Sequence, residues 1–195
     1  MSKFHIKMDI NTEVHNAAEV IKNGGIILYP TDTVWGIGCD ATNEEAVAKI
    51  YALKQRAEIQ SMLCLMNGEK MIYNVFSNIP EVAWQIWDLS EKPTTLILDK
   101  PRNVAKNLIS LDNTLGVRLV KEPFCFKLME RMKRPLVSTS ANISGEPTPK
   151  NFAEISVEIK NGVDYIVNLY QNKTEGKPST IIKIALDNQV KVIRK

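Results

Sequence analysis

Apolar residues recur along this chain in two alternating rhythms. Over residues 12–23, "TEVHNAAEVIKN", the apolar positions Val14, Ala17, Ala18 and Ile21 fall a helical turn apart, and the run stops at Gly24-Gly25. That spacing predicts an amphipathic helix with a glycine terminator. The following "IILYPT" reads as a buried strand. Thr42, followed three residues later by Glu45, then reads as a capping box, and Ala46, Val47, Ile50 and Leu53 repeat at helical spacing. A second helix is predicted from about residue 43 to Lys54.

Beyond this point, short apolar runs predict strands at 62–66 ("MLCLM"), 94–98 ("TTLIL"), 116–120 ("GVRLV") and 135–140 ("PLVSTS"), with "DYIVN", "STIIKI" and "VKVIR" after them. Helices are expected between them at about 68–76, 80–88, 122–132 and 151–160. Pro80 stands at a helix-start position and Gly162 closes the last helix. Strands and helices in alternation make an α/β fold. No period of about 20 to 50 residues recurs, which excludes solenoids, and no low-complexity tract is present.

Composition narrows the chemistry. With 195 residues, 44% hydrophobic and 24% charged, and no linker-like tract, one domain over residues 1–195 is expected. No apolar run approaches the ~18 residues of a membrane span, and "MSKFHIKMDIN" lacks a secretory apolar stretch, so a cytoplasmic protein is expected. Cys39, Cys64 and Cys125 are odd in number and far apart, which fits reduced, buried thiols and neither a disulfide framework nor a metal site. His5 and His15 both lie near the N-terminus, leaving little imidazole for zinc or a serine-histidine relay. A formal charge of +3 is too small to announce a nucleic-acid binder.

Three stretches carry candidate chemistry. In "YPTDTVWGIGCDAT", Gly36, Gly38 and Ala41 match a relaxed dinucleotide fingerprint with Glu58 further on, but "TDTVW" intervenes between strand and first glycine, so glycines in a tight loop are the expectation. In "ALKQR", Lys54 and Arg56 stand where the helix ends. They either cap its dipole or reach one polyanion together. In "LVSTSANISGEP", Ser138 and Ser140 point to one strand face and Thr139 to the other, with Asn142 in the turn; neutral donors at a strand's C-terminal end suit ligand binding in α/β sheets, or satisfy turn backbone. There is no G-x-x-x-x-G-K-[ST], so any phosphate site is assembled from separated pieces.

Taken in order, "YPTDTVWGIGCDA", "ALKQR", "GVRLV", "STSANISGEPTP" and "GKPSTIIKI" resemble the signature of the YrdC/TsaC family of threonylcarbamoyl-AMP synthases, over about residues 24–194. The resemblance implies a YrdC-like twisted mixed sheet with flanking helices around a central basic cavity. It implies that ATP, L-threonine and bicarbonate become threonylcarbamoyl-AMP and pyrophosphate, with Mg2+ accompanying ATP. The product would serve a downstream tRNA threonylcarbamoyl transferase.

By the same resemblance, Lys54 and Arg56 are the catalytic cations that neutralise the phosphates. ATP would also meet Ser138, Ser140, Asn142 and Arg194, while threonine would meet Thr31, Thr33, Arg118 as carboxylate clamp, and Ser179. No protein metal cage is expected, and Asp32, the nearest acid, is expected to face solvent. Lys54→Ala or Asn142→Ala is expected to reduce threonine-dependent pyrophosphate release with the fold intact. The chain departs from the family at Ala57, where many members have proline, and at Leu65, where some have histidine near threonine. The alternatives are a YciO-like protein without synthase activity and a double-stranded-RNA-binding module. For the module, Lys100, Arg102, Lys106, Arg131, Lys133 and Arg134 would have to share one face.

Overall fold

Nine strands form one mixed sheet in this computed structural model, which describes residues 9–55, 62–172 and 176–195. They are β1 (Ile27–Tyr29), β2 (Gly36–Gly38), β3 (Leu63–Met66), β4 (Thr94–Asp99), β5 (Thr114–Leu119), β6 (Leu136–Ser140), β7 (Tyr165–Ile166), β8 (Thr180–Ile184) and β9 (Val190–Arg194). Across the sheet the order is β7-β1-β2-β6-β3-β5-β4-β8-β9. Pairs β1/β7, β3/β5 and β4/β8 are parallel, and the other neighbours are antiparallel. The helices are α1 (Ile10–Lys22), α2 (Glu44–Leu53), α3 (Glu69–Val75), α4 (Glu81–Leu89), α5 (Pro123–Met132) and α6 (Val157–Gly162).

Local hydrogen bonding moves several boundaries from those the periodicity predicts. Asn43, not Thr42, caps α2: its Oδ1 accepts from Ala46 N at 3.0 Å, while the Thr42 hydroxyl donates to Asp40 Oδ1 at 2.8 Å. The run 151–160 splits because it contains two side-chain caps. Asn151 accepts from Glu154 N at 3.1 Å and opens a 3-10 turn, Phe152–Glu154; Ser156 accepts from Ile159 N at 3.3 Å and opens α6. Gly162 ends inside α6 rather than after it, where a Cβ would lie 2.2 Å from Leu53 Cδ1.

The largest correction concerns Gly36 and Gly38, which lie within a strand and not in a tight loop. They therefore cannot form the strand-to-helix turn of a dinucleotide site, and Glu58 lies outside the described residues. β2 is squeezed between β1 and β6, and a Cβ on Gly38 would stand 2.3 Å from Val137 O and 2.7 Å from Tyr29 Cε1. Backbone and a fully buried ring cannot both retreat. Gly38→Ala is accordingly expected to lower the unfolding free energy by about 2–3 kcal/mol, and a urea midpoint equal to wild type would refute this packing.

Side-chain alternation assigns the two sheet faces to different partners. Ile37, Val137, Cys64, Val117 and Leu96 face the larger core, with Val47 and Ile50 of α2, Ile72 and Val75 of α3 and Ala83 of α4. Trp84 and Trp87 pack edge-on at the margin of that core, centroids 5.3 Å apart. On the opposite face, Ile27, Tyr29, Leu65 and Leu136 meet α1 and α5 through Ala17, Ile21, Phe124 and Leu128. These two helices cover only part of that face. Leu136 lies in the α1/α5 core, but Ser138 and Ser140, further along the same side of β6, are left uncovered. All three cysteines are free and buried, and burial pushes the Cys64 thiol up to about 12, so none is poised as a nucleophile.

Candidate functional site

The uncovered part of the sheet face is a cavity of about 430 Å³. Its floor follows from strand register. Along β5 the residues facing it are Thr114, Gly116 and Arg118; Ile97 and Leu63 flank Gly116, and Thr95 lies opposite Arg118. An apolar middle is thus bounded by polar ends roughly 13 Å apart along the strand.

Arg118 organises one end. It is 3% exposed, and its Nη2 donates to Asp32 Oδ1 at 2.8 Å and to Thr33 Oγ1 at 3.2 Å. Its buried Nε has no hydrogen-bond partner among the described residues. Asp32 therefore does not simply face solvent; it is the arginine's counter-ion, on the loop between β1 and β2. The same loop is tied internally: Thr31 Oγ1 donates to Val34 O at 2.7 Å and accepts from Thr33 N at 3.0 Å.

Two further predicted residues converge here from the last hairpin. Arg194 donates through Nε and Nη2 to Ser179 O, at 3.1 and 2.8 Å. Partial burial, and secondarily the charge of Arg118, push its pKa down, so an anion between the two guanidiniums would be welcomed by both.

Ser138 and Ser140 line the cavity from β6, whereas Lys54 and Asn142 stand behind it. The Lys54 ammonium, in a residue 1% exposed, donates to Ser140 O and Asn142 O at 2.5 Å each. Asn142 Nδ2 donates to Ile143 O and Glu146 O, at 2.9 and 2.8 Å, leaving its Oδ1 buried without a partner among the described residues. The fold thus brings Thr33, Arg118, Ser138, Ser140, Ser179 and Arg194 onto one cavity, with Thr31, Lys54 and Asn142 as a supporting layer. Arg56 and Ala57 lie outside the described residues. Leu65 is packed into the α1/α5 core.

Residues 19–195 match the Sua5/YciO/YrdC family, whose description reads "telomere recombination". The chain belongs to this family. A Sua5/YciO/YrdC relative in Methanocaldococcus jannaschii, named a putative threonylcarbamoyl-AMP synthase, is 37% identical over 177 residues, covering 88% of this chain and 80% of that protein. A threonylcarbamoyl-AMP synthase of Pseudoalteromonas translucida is 30% identical over 83% of this chain and 88% of its own. Among solved structures, P. abyssi Sua5 complexed with L-threonine superposes with a TM-score of 0.78 at 25% identity, over 91% of this chain and 52% of that one. The present chain spans about half the length of that Sua5. E. coli YciO shares the fold, with a TM-score of 0.82 at 24% identity over 96% of this chain and 90% of that one.

Several cavity residues of this Sua5/YciO/YrdC chain had not been singled out from sequence. At the far end, Asp112 accepts from Ser110 Oγ at 2.5 Å, Thr114 Oγ1 at 2.9 Å and Lys183 Nζ at 2.5 Å. Lys183, then Ser110 and Thr114, hold its carboxyl far below the usual carboxylate range. Among the described residues, three cations (Arg118, Lys183, Arg194) and one carboxylate (Asp112) line the cavity, which is net basic. The period-two pattern of "STIIKI" could have placed Lys183 beside Ser179 and Ile181. Nothing local announced Thr95, whose relevance arises only from its pairing opposite Arg118.

Proposed function

We propose that this chain is a threonylcarbamoyl-AMP synthase, a nucleotidyltransferase condensing L-threonine, bicarbonate and ATP. The observation that carries this reading is Arg118: a buried guanidinium with an unpartnered Nε in the wall of a basic cavity, within a chain 37% identical to a relative named for that synthesis. A guanidinium fork suits a substrate carboxylate, and Asp32 and Thr33 fix its orientation before substrate arrives.

The chemistry requires anions to be brought within bonding distance. Threonine's amine bonds to the carbon of bicarbonate with loss of water, giving a carbamate. A carbamate oxygen then attacks the α-phosphorus of ATP, and the bond to the bridging oxygen breaks as pyrophosphate leaves with its electron pair. In this scheme Arg118 holds the threonine carboxylate, and its positive charge beside the amine favours the neutral, nucleophilic form. Ser138 and Ser140 hydrogen-bond nucleotide oxygens, Arg194 and Arg56 neutralise phosphate charge, and Lys54 and Asn142 fix the loop that follows Ser140. Pre-set cations and dipoles supply the transition-state stabilisation.

Magnesium would arrive with ATP and supply charge screening as pyrophosphate departs. Among the described residues no three His, Cys, Asp or Glu side chains stand together, and Asp32 and Asp112 each already face a cation, so phosphate oxygens and water fit it better than a protein cage. The product suits a downstream tRNA threonylcarbamoyl transferase. A duplex-RNA surface finds less support: Arg131 and Arg134 share one surface hollow but are tied to His15 and Asp40, while Arg102 is tied to Tyr73 O and Asn74 O beside α3. Among the described residues no helix is long and apolar enough to cross a membrane. Mixing the protein with ATP, magnesium, threonine and bicarbonate is expected to yield threonylcarbamoyl-AMP by mass spectrometry, and its absence under all conditions would overturn the proposal.

A further inference from the structure

The two edges of the sheet are finished differently. At one edge β7 is only two residues long, and α1 closes over it: Asn16 donates to the Tyr165 hydroxyl at 3.4 Å, and that hydroxyl donates to Glu13 Oε2 at 2.8 Å. At the other edge β9 runs five residues, every one of them exposed, with no strand beyond it among the described residues. An edge of that length presents free backbone groups as a template for a further strand unless something blunts it.

The ladder with β8 decides which groups are free. Ala185 N donates to Gln189 O at 3.0 Å, so these two face each other as a hydrogen-bonded pair. Antiparallel pairs alternate, which makes Lys183 and Lys191 the next bonded pair and turns the N–H and C=O of Val190 and Val192 outward. The side chains of Val190 and Val192 lie on the sheet face away from the cavity, beside Ile184 and Ile182. They stay 48% and 50% exposed because their flank away from β8 is open.

Charge occupies the other face. Lys191 stands directly opposite Lys183, and like charges in that position repel. Asp112 neutralises Lys183, whereas Lys191 has no counter-ion among the described residues. The edge is thus apolar on one side and basic on the other, with outward backbone groups between. A second copy would bring another Lys191 and Arg194 to this edge, and lysine on an edge strand is a device that keeps identical edges apart.

We propose that β9 is a docking edge for a partner protein, which adds as a tenth strand an extended segment whose side chains alternate acidic and apolar. Its backbone pairs with Val190 and Val192, its apolar residues cover their half-exposed side chains, and its acidic residues supply the counter-ion that Lys191 lacks. Arg194, on the same strand, lines the cavity, so the partner stands at the cavity's rim. The proposal goes beyond the synthase reading and does not depend on it.

The test is amide hydrogen exchange by NMR on the full chain, without ATP or threonine, with a synthetic peptide of alternating glutamate and valine as probe. This peptide is expected to slow exchange of the Val190 and Val192 amides at least about tenfold, whereas a peptide of alternating lysine and valine is not. Val192→Pro removes one outward N–H and no bond to β8, so affinity for the acidic peptide by calorimetry should fall at least about tenfold. Lys191→Glu should remove the preference for the acidic peptide. Unchanged exchange at millimolar peptide, equal protection by both peptides, wild-type affinity in Val192→Pro or wild-type preference in Lys191→Glu would each overturn the proposal. So would protection already present in the free protein and lost on dilution, since the occupant would then be a second copy. Should Val192→Pro fail to fold, the acidic peptide with its pairing amides N-methylated, added to wild type, supplies the same comparison. With neither substrate present, every one of these results leaves the synthase reading untouched.

Discussion

Arg118→Met is expected to lower threonine-dependent pyrophosphate release by about 1000-fold while ATP binding measured by calorimetry survives. Removing one partner of a desolvated charge pair typically costs 2–5 kcal/mol, or roughly 30- to several thousand-fold. Here two effects act in the same direction. The substrate carboxylate loses its clamp, and Asp32, whose side chain is only 21% exposed, is left as an uncompensated negative charge beside an anion site. Unfolding free energy should fall as well, because the orphaned carboxylate must find water. Adding Asp32→Asn should recover that stability without recovering activity, since it removes the orphaned charge and not the missing fork. Activity within tenfold of wild type in Arg118→Met would remove Arg118 from the substrate site.

Lys54→Met is expected to lose both stability and activity, in contrast to the fold-neutral loss that the family resemblance suggests. The ammonium is enclosed, and it bridges the carbonyls of Ser140 and Asn142, while the backbone carbonyl of Lys54 accepts from Ser144 N at 2.9 Å. Methionine fills much of the volume but leaves two carbonyls without this donor, at about 1–3 kcal/mol each when buried. A net loss of about 3 kcal/mol would lower the melting temperature by roughly 6–12 °C in a chain of this size. Activity should fall with it, because the end of β6 that presents Ser140 is no longer held. A variant that melts like wild type but fails to bind ATP would return Lys54 to direct contact with phosphate.

These expectations differ from those of sequence alone at identifiable places. The α/β alternation, the strand identity of "GVRLV" and "LVSTS", and the shared face of Ser138 and Ser140 were legible because they follow from period-two and helical spacing within single segments. Two strand residues were not legible in their roles. Gly38 looked like a loop residue because glycine signals a turn by default, yet its missing side chain is required by Val137 O and Tyr29 arriving from other strands. Thr95 looked like one more strand threonine until β4 was paired with β5 on one side and β8 on the other. Lys54 illustrates the converse: its position at the end of α2 was predicted correctly, but whether its ammonium faces phosphate or backbone depended on where the loop after β6 passes.

By itself, the amino-acid sequence determined most of the elements and their order, β2 and the split of 151–160 excepted, together with the chemical types available to the cavity and the family resemblance. All of these are carried by neighbours within a few residues or by motifs read in order. Tertiary structure alone decided which face of the sheet remains uncovered, that Asp32 meets Arg118 across 86 residues, and that Thr95 meets Ser179 across 84. Such pairings are set by strand register and helix coverage, in which segments distant along the chain compete for the same surface, and no local pattern records which of them wins.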